Sequence, residues 1–171
     1  MIENNKKTEE TPVSASNVII LEDTFHVANS AKSTLTILGY SDKQIFSAKT
    51  FGSASYFLEE KPGWKSFKYL IVDLNIPCKY EDYFNKDELR ELDRVSQNVH
   101  SKDIKLSGWI WLKRLVRKHE ELRNRIIVLS AYVNELPEDE KNQYREFLFL
   151  DKTEADTVQK LKFALRNNNK S

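Results

Sequence analysis

Four apolar runs, at residues 18–21, 69–72, 126–129 and 147–150, each end on a polar group suited to handling a phosphoryl group: Glu22 and Asp23, Asp73, Ser130, and Asp151 with Lys152. Amphipathic stretches separate the runs, and this alternation is the signature of β-α units around a mostly parallel sheet. Parallel strands align their carboxyl ends along one edge, where open α/β sheets bind ligands. Carboxylates, a hydroxyl and an ammonium would then converge from distant parts of the chain. The spacing therefore constrains the fold and the location of function together.

The chain of 171 residues, 40% hydrophobic and 31% charged, can bury the core of one domain. With 27 Lys plus Arg against 26 Asp plus Glu, no broad field draws it to nucleic acid or anionic lipid. Its one cysteine, Cys78, cannot form an internal disulfide and sits in no motif that would lower its pKa, so it reads as an ordinary side chain. No signal peptide or membrane-length apolar stretch is present, which leaves the cytosol as the default. Residues 1–16, polar and aperiodic, read as a disordered leader, and residues 167–171 as a weak tail.

Within residues 17–167 the pattern predicts five strands and about five helices. The first helix runs from after Thr24 to near Gly39, a residue that tolerates the left-handed backbone past a helix end. A strand follows at 45–48, then a helix at 53–60 halted by Pro62 and Gly63. Trp109, Leu112, Leu115 and Val116 share one helical face, with Lys113, Arg114, Arg117 and Lys118 expected on a solvated opposite face. Pro137 suits the first turn of another helix, with Glu138, Asp139 and Glu140 at its positive end. Thr153 can cap the last helix, turning Ala155, Val158, Leu161 and Leu165 to the sheet. The crossover rule makes this a doubly wound three-layer sandwich.

Five segments in this order, VIILED at 18–23, LIVDLNIP at 70–77, SGWIWL at 107–112, IVLSA at 127–131 and FLDK at 149–152, carry a family resemblance. The chain resembles the receiver domain of bacterial two-component response regulators over about residues 17–166. The resemblance implies an α/β, flavodoxin-like five-stranded parallel sheet in the order 2-1-3-4-5. It implies that Asp73 accepts a phosphoryl group from a histidine kinase or phosphotransfer protein, and that Glu22, Asp23, Asp73 and the backbone carbonyl of Asn75 hold Mg²⁺. Lys152 would pair with the phosphoryl group, Ser130 would turn inward to hydrogen-bond it, and Phe149 occupies the position of the aromatic switch. The output would pass through protein contacts to a downstream target, self-association to a homodimer included, with no nucleic-acid or membrane contact.

The chemistry is coherent on its own terms. Crowded carboxylates repel, so one titrates high unless a cation compensates, and Mg²⁺ prefers a few carboxylates, waters and phosphoryl oxygens. Phosphoryl transfer then needs positioning and charge stabilisation more than covalent help from the protein.

The chain departs from the pattern in places. Residues 78–107 intervene where the family has only a few, forming an inserted segment. So long a structureless loop is unusual, and Leu89, Leu92 and Val95 are spaced for an extra helix anchored by Tyr80, Tyr83 and Phe84. It reads as an excursion packed beside the third helix, or as a lid or partner element affecting access to Asp73. Thr153 stands where a proline is usual after the lysine, Arg145 and Glu146 replace a Gly-Ala pair, and Glu22 replaces an aspartate. Tyr132 and His26 are expected at the surface near the site, in competition with shielding of an acyl phosphate and approach to the metal respectively. His100 and His119 lack partners at zinc-ligand spacing.

Two competing classes are weighed. A receiver-like docking module would bind a partner without phosphorylation, although all five site groups are retained. An aspartyl-phosphate phosphatase needs a second aspartate two positions after the nucleophile; Asn75 stands there and cannot exchange the proton. The chain is therefore expected to be no enzyme beyond its own phosphorylation and dephosphorylation.

Overall fold

The structure, a computed structural model, describes residues 17–60 and 67–167. The expected leader at 1–16, the helix stop at Pro62 and Gly63, and the tail beyond 167 lie outside the described residues.

Five parallel strands form the sheet: β1 Asn17–Leu21, β2 Ile45–Ala48, β3 Phe67–Val72, β4 Ile126–Ser130 and β5 Leu148–Asp151, in the spatial order β2-β1-β3-β4-β5. The order and direction are those expected. Side chains alternate across the sheet, as strand geometry requires. Ile19, Leu21, Leu70, Val72, Ile126 and Val128 enter one core, and Val18, Ile20, Tyr69, Ile71, Ile127 and Leu129 the other.

The second core is covered by α1 (Phe25–Ile37) and α7 (Thr157–Asn167) through Ala31, Leu35, Leu161 and Leu165. The first is covered by α2 (Phe51–Glu59) and α5 (Ser107–Lys118), with Tyr144 closing it beyond α6 (Glu138–Gln143). Gly39, just past α1, has φ of +95°, so the chain reverses there without the penalty a Cβ would carry. Thr50 accepts a hydrogen bond from the Ser53 amide, capping α2 two residues earlier than the spacing suggested.

Segment 78–107 contains two helices, α3 (Tyr80–Tyr83) and α4 (Lys86–Val95), bringing the α-helices among the described residues to seven. α4 is the helix expected from Leu89, Leu92 and Val95. Asn85 caps it, accepting from the Asp87 and Glu88 amides at 3.0 Å each, while Glu88 accepts the Asn85 amide in return. Leu92 and Val95 are buried, as is Phe84, which meets Phe51 edge-on. Tyr83 also meets Phe51, though its ring stays partly exposed.

Two expectations are corrected. Lys113 is not solvated: it is 4% exposed, ion-paired to Glu91 of α4 and, at 2.7 Å, to Glu140 of α6, while Arg114 chelates Glu88. Helix periodicity assigned α5 one buried face, but α4 covers the other, and α4 and α6 supply the matching acids. Thr153 is not the cap of the last helix. Its amide and hydroxyl are drawn instead to the Asp151 carboxylate, and α7 begins at Thr157. Leu161 and Leu165 face the sheet as expected, whereas Ala155 lies in the exposed turn and Val158 is 42% exposed.

Candidate functional site

The site assembles from the carboxyl ends of β1, β3, β4 and β5. Asp73 directly follows β3, its amide donating to the Leu21 carbonyl at 3.0 Å, so its side chain emerges beside the residues that follow β1. There Glu22 is fixed at both ends. Its amide donates to Ala48 O at 3.0 Å, and its carboxylate accepts the Thr24 amide at 3.0 Å. Glu22 and Asp73 are 3% and 6% exposed, and Asp23 lies further out. Oxygens of the three carboxylates lie within 4.8 Å of one another, close enough for one ion to bridge them.

Lys152, one residue past β5, reaches across the sheet edge. Its ammonium is 3.1 Å from Asp73 Oδ2 and hydrogen-bonds Glu22 Oε2. Burial, then the nearby charge of Asp73, pushes the Glu22 carboxyl above its ordinary value, and Lys152 opposes this only in part. Three acids with one ammonium leave a negative excess in a largely buried notch. Asp73 Oδ1 is buried and has no hydrogen-bond partner among the described residues. An orphaned carboxylate oxygen facing an all-oxygen acidic cluster is the donor set a hard divalent cation takes. The residues thus fit Mg²⁺.

Ser130 ends β4 fully buried, and its Oγ accepts the Tyr132 amide at 3.2 Å. Accepting that bond leaves the hydroxyl proton available to another acceptor. Tyr132 is half-buried and packs against the first core. Phe149 on β5 is half-buried, its ring 6.0 Å from that of Trp109 and 6.2 Å from that of Phe147.

Asn75 lies in the loop 73–77, whose shape is imposed from a distance. Ser107 Oγ donates to Ile76 O at 2.7 Å and accepts Ile76 N at 3.2 Å, while the Gly108 amide donates to Leu74 O at 2.8 Å. Segment 78–107 therefore leaves this loop and returns to clasp it. Its helix α4 is bound laterally to α5 and α6 by Glu88–Arg114, Glu91–Lys113 and Arg94–Glu140. Those contacts pack α4 beside α5.

Sequence reasoning therefore located Glu22, Asp23, Asp73 and Lys152, and the structure brings them together. It missed the grip of Ser107 and Gly108 on the loop and the hydrogen bond from Asn134 to Asp151. The Ser-Gly pair opening a helix was the available signal for the first. Nothing in the pattern marked the second. His26 is exposed and borders, with Lys152, a cavity of about 320 Å³ between α1 and α7. The Cys78 thiol is pushed up to about 11 by burial and by Glu81 and Asp82, which disfavours the nucleophilic thiolate. No described helix is long and apolar enough to cross a membrane.

No protein-family model matches the chain, and no curated protein sequence matches it. Solved structures do. A response regulator receiver domain protein from Clostridium thermocellum superimposes with a TM-score of 0.53 at 16% identity, covering 90% of this chain and 93% of that one. A CheY-like receiver domain protein from Methanospirillum hungatei gives 0.51 at 18% identity, over 92% and 99%. A two component transcriptional regulator AraC from Clostridium phytofermentans gives 0.50 at 12%, over 90% of each chain.

Proposed function

The fold is that of response regulator receiver domains, and from this premise we propose that the chain is a phosphorylatable receiver whose phosphoacceptor is Asp73. One observation carries the reading. At the sheet edge where this fold places its ligands, Asp73 shares an acidic notch with Glu22 and Asp23, keeps one oxygen unpartnered and holds Lys152 at 3.1 Å.

Glu22, Asp23, Asp73 and the Asn75 backbone carbonyl would hold Mg²⁺. When bound, that ion offsets the negative excess and neutralises charge on the phosphoryl oxygens. A carboxylate oxygen of Asp73 attacks phosphorus in line. The new P–O bond forms as the bond to the donor breaks, and the electron pair leaves with the donor, a phosphohistidine of a kinase or phosphotransfer protein or a small acyl phosphate. Lys152 exchanges its carboxylate partners for the incoming phosphoryl oxygens, so the charge of the transition state meets a preplaced cation, and the Ser130 proton supplies a second donor to the transferred group. Asn75 cannot relay a proton to water, which keeps the product from rapid turnover and makes the protein a switch and not an enzyme on external esters.

Ser130 can reach the phosphoryl group only by moving, and its movement frees space for the Phe149 ring, biasing a two-state element by differential contacts. The signal then passes to a downstream protein or to a second copy. With net charge +1, direct nucleic-acid binding is not part of the reading.

Incubation with Mg²⁺ and acetyl phosphate is expected to add the mass of one phosphoryl group, and Asp73→Asn should abolish the gain. An unsubstituted protein that stays unmodified, with its fold intact, would instead favour a docking module that works without phosphorylation.

A further inference from the structure

Lys152 sits in an exposed turn, residues 152–156, between β5 and α7. An ammonium on a flexible stem acts at a fixed point only if the backbone beneath it is fixed. The resemblance places a proline after this lysine, but Thr153 stands here and supplies an amide N–H that a proline lacks.

That N–H is used. The carboxylate of Asp151, 9% exposed, accepts the Thr153 amide at 2.8 Å and the Thr153 hydroxyl at 2.6 Å on Oδ1. Its Oδ2 accepts Nδ2 of Asn134 at 2.7 Å, from the loop after β4. The Asp151 carbonyl accepts the hydroxyl of Thr157, the first residue of α7, and the Lys152 amide donates to the Ser130 carbonyl at 3.2 Å. The lysine turn is thus tied to α7 on one side and to the Ser130 loop on the other.

We infer that Asp151 and Asn134 form a positioning pair that sets Lys152 over Asp73 and holds the lysine turn in register with the Ser130 loop. The inference rests on the receiver reading above. Neither residue touches Asp73, so both act through the backbone of Lys152. Charge-assisted bonds are the stronger kind, and the Asp151 carboxylate spends its acceptors across the two loops that must converge on one phosphoryl group.

A charge swap tests this. Asn134→Asp keeps the shape but opposes two carboxylates; phosphorylation of Asp73 by acetyl phosphate, followed by intact mass, is expected to slow roughly tenfold. Adding Asp151→Asn restores a donor–acceptor pair in reversed sense and is expected to recover most of the rate. Asn134→Ala, which deletes the bond without repulsion, should fall between. Asn134 is exposed, and Asp151→Asn keeps the size of its buried side chain and one acceptor oxygen, so these variants should fold. Calorimetry should still show Mg²⁺ binding, because the three carboxylates of the notch are untouched. An Asn134→Asp variant as fast as the unsubstituted protein, or a double variant that fails to recover, overturns the positioning role while leaving the receiver reading in place. No phosphoryl uptake by the unsubstituted protein overturns the receiver reading and this inference with it.

Discussion

A Cβ added to Gly108 would fall 2.0 Å from the backbone oxygen of Asp73 and 3.1 Å from Leu74 Cα, and neither backbone atom can rotate away. Gly108 is glycine for close approach, since its φ is ordinary. With Ser107 it forms a clasp on the loop that follows the Asp73 carboxylate, so local backbone position and the geometry of the notch are coupled there. Gly108→Ala should therefore act twice. Forcing one methyl into this contact is expected to destabilise by about 1–3 kcal/mol, read by urea unfolding. Phosphoryl uptake should fall by more than the unfolded fraction explains, because the Asp73 backbone must shift to relieve the contact. A variant with unchanged uptake per folded molecule would show that the loop can retreat without moving the carboxylate.

At the scale of helices, α4, α5 and α6 are joined by one buried ionic network centred on Glu140, which is 2% exposed. Glu140 accepts from Lys113 at 2.7 Å, from Trp109 Nε1 at 2.9 Å and from Arg94. Burial alone would raise its carboxyl; the three donors outweigh it and hold the group below the ordinary glutamate range. Lys113 is the mirror case, with burial exceeded by its bonds to Glu140 and Glu91. Removing one member of such a set strands the others, so Glu140→Ala is expected to cost about 3–5 kcal/mol at neutral pH. The sign in acid follows from linkage. A depressed carboxyl stabilises the fold above its unfolded-state value and loses that contribution as pH falls through its folded-state value. The gap between variant and parent in thermal unfolding should therefore narrow as pH drops beneath the ordinary glutamate range; a constant gap would mean Glu140 acts by shape alone. None of this was visible in the sequence. The basic residues of α5 resembled a solvated face because their acidic partners lie 22 to 27 positions away on other helices.

Across the whole molecule, the sheet was legible because each strand is short, apolar and punctuated by a polar residue, and the order 2-1-3-4-5 follows once the family pattern is admitted. The notch was legible for the same reason: strand ends set where Glu22, Asp73 and Lys152 emerge. The clamp on Lys152 was not legible, because hydrogen bonds between two loops leave no periodic trace. That division leads to a thermodynamic test of the assembled site. A ligand that binds only the folded chain adds RT ln(1 + [L]/Kd), about 2.7 kcal/mol at a hundredfold excess over Kd. For a domain of this size each kcal/mol moves the melting temperature by about 2–4 °C. On the proposed receiver function, Mg²⁺ with beryllofluoride, a non-transferring mimic of the phosphoryl group, would need Asp73, the acidic pair and Lys152 at once. It should therefore raise the melting temperature by several degrees, whereas Mg²⁺ alone should give a smaller shift. Asp73→Asn should lose the beryllofluoride increment, and Asp23→Asn should lose both, because the cation organises the anion. A shift that survives Asp73→Asn would locate the binding elsewhere, and equal shifts with and without beryllofluoride would show that the notch holds a cation but does not accept a phosphoryl group.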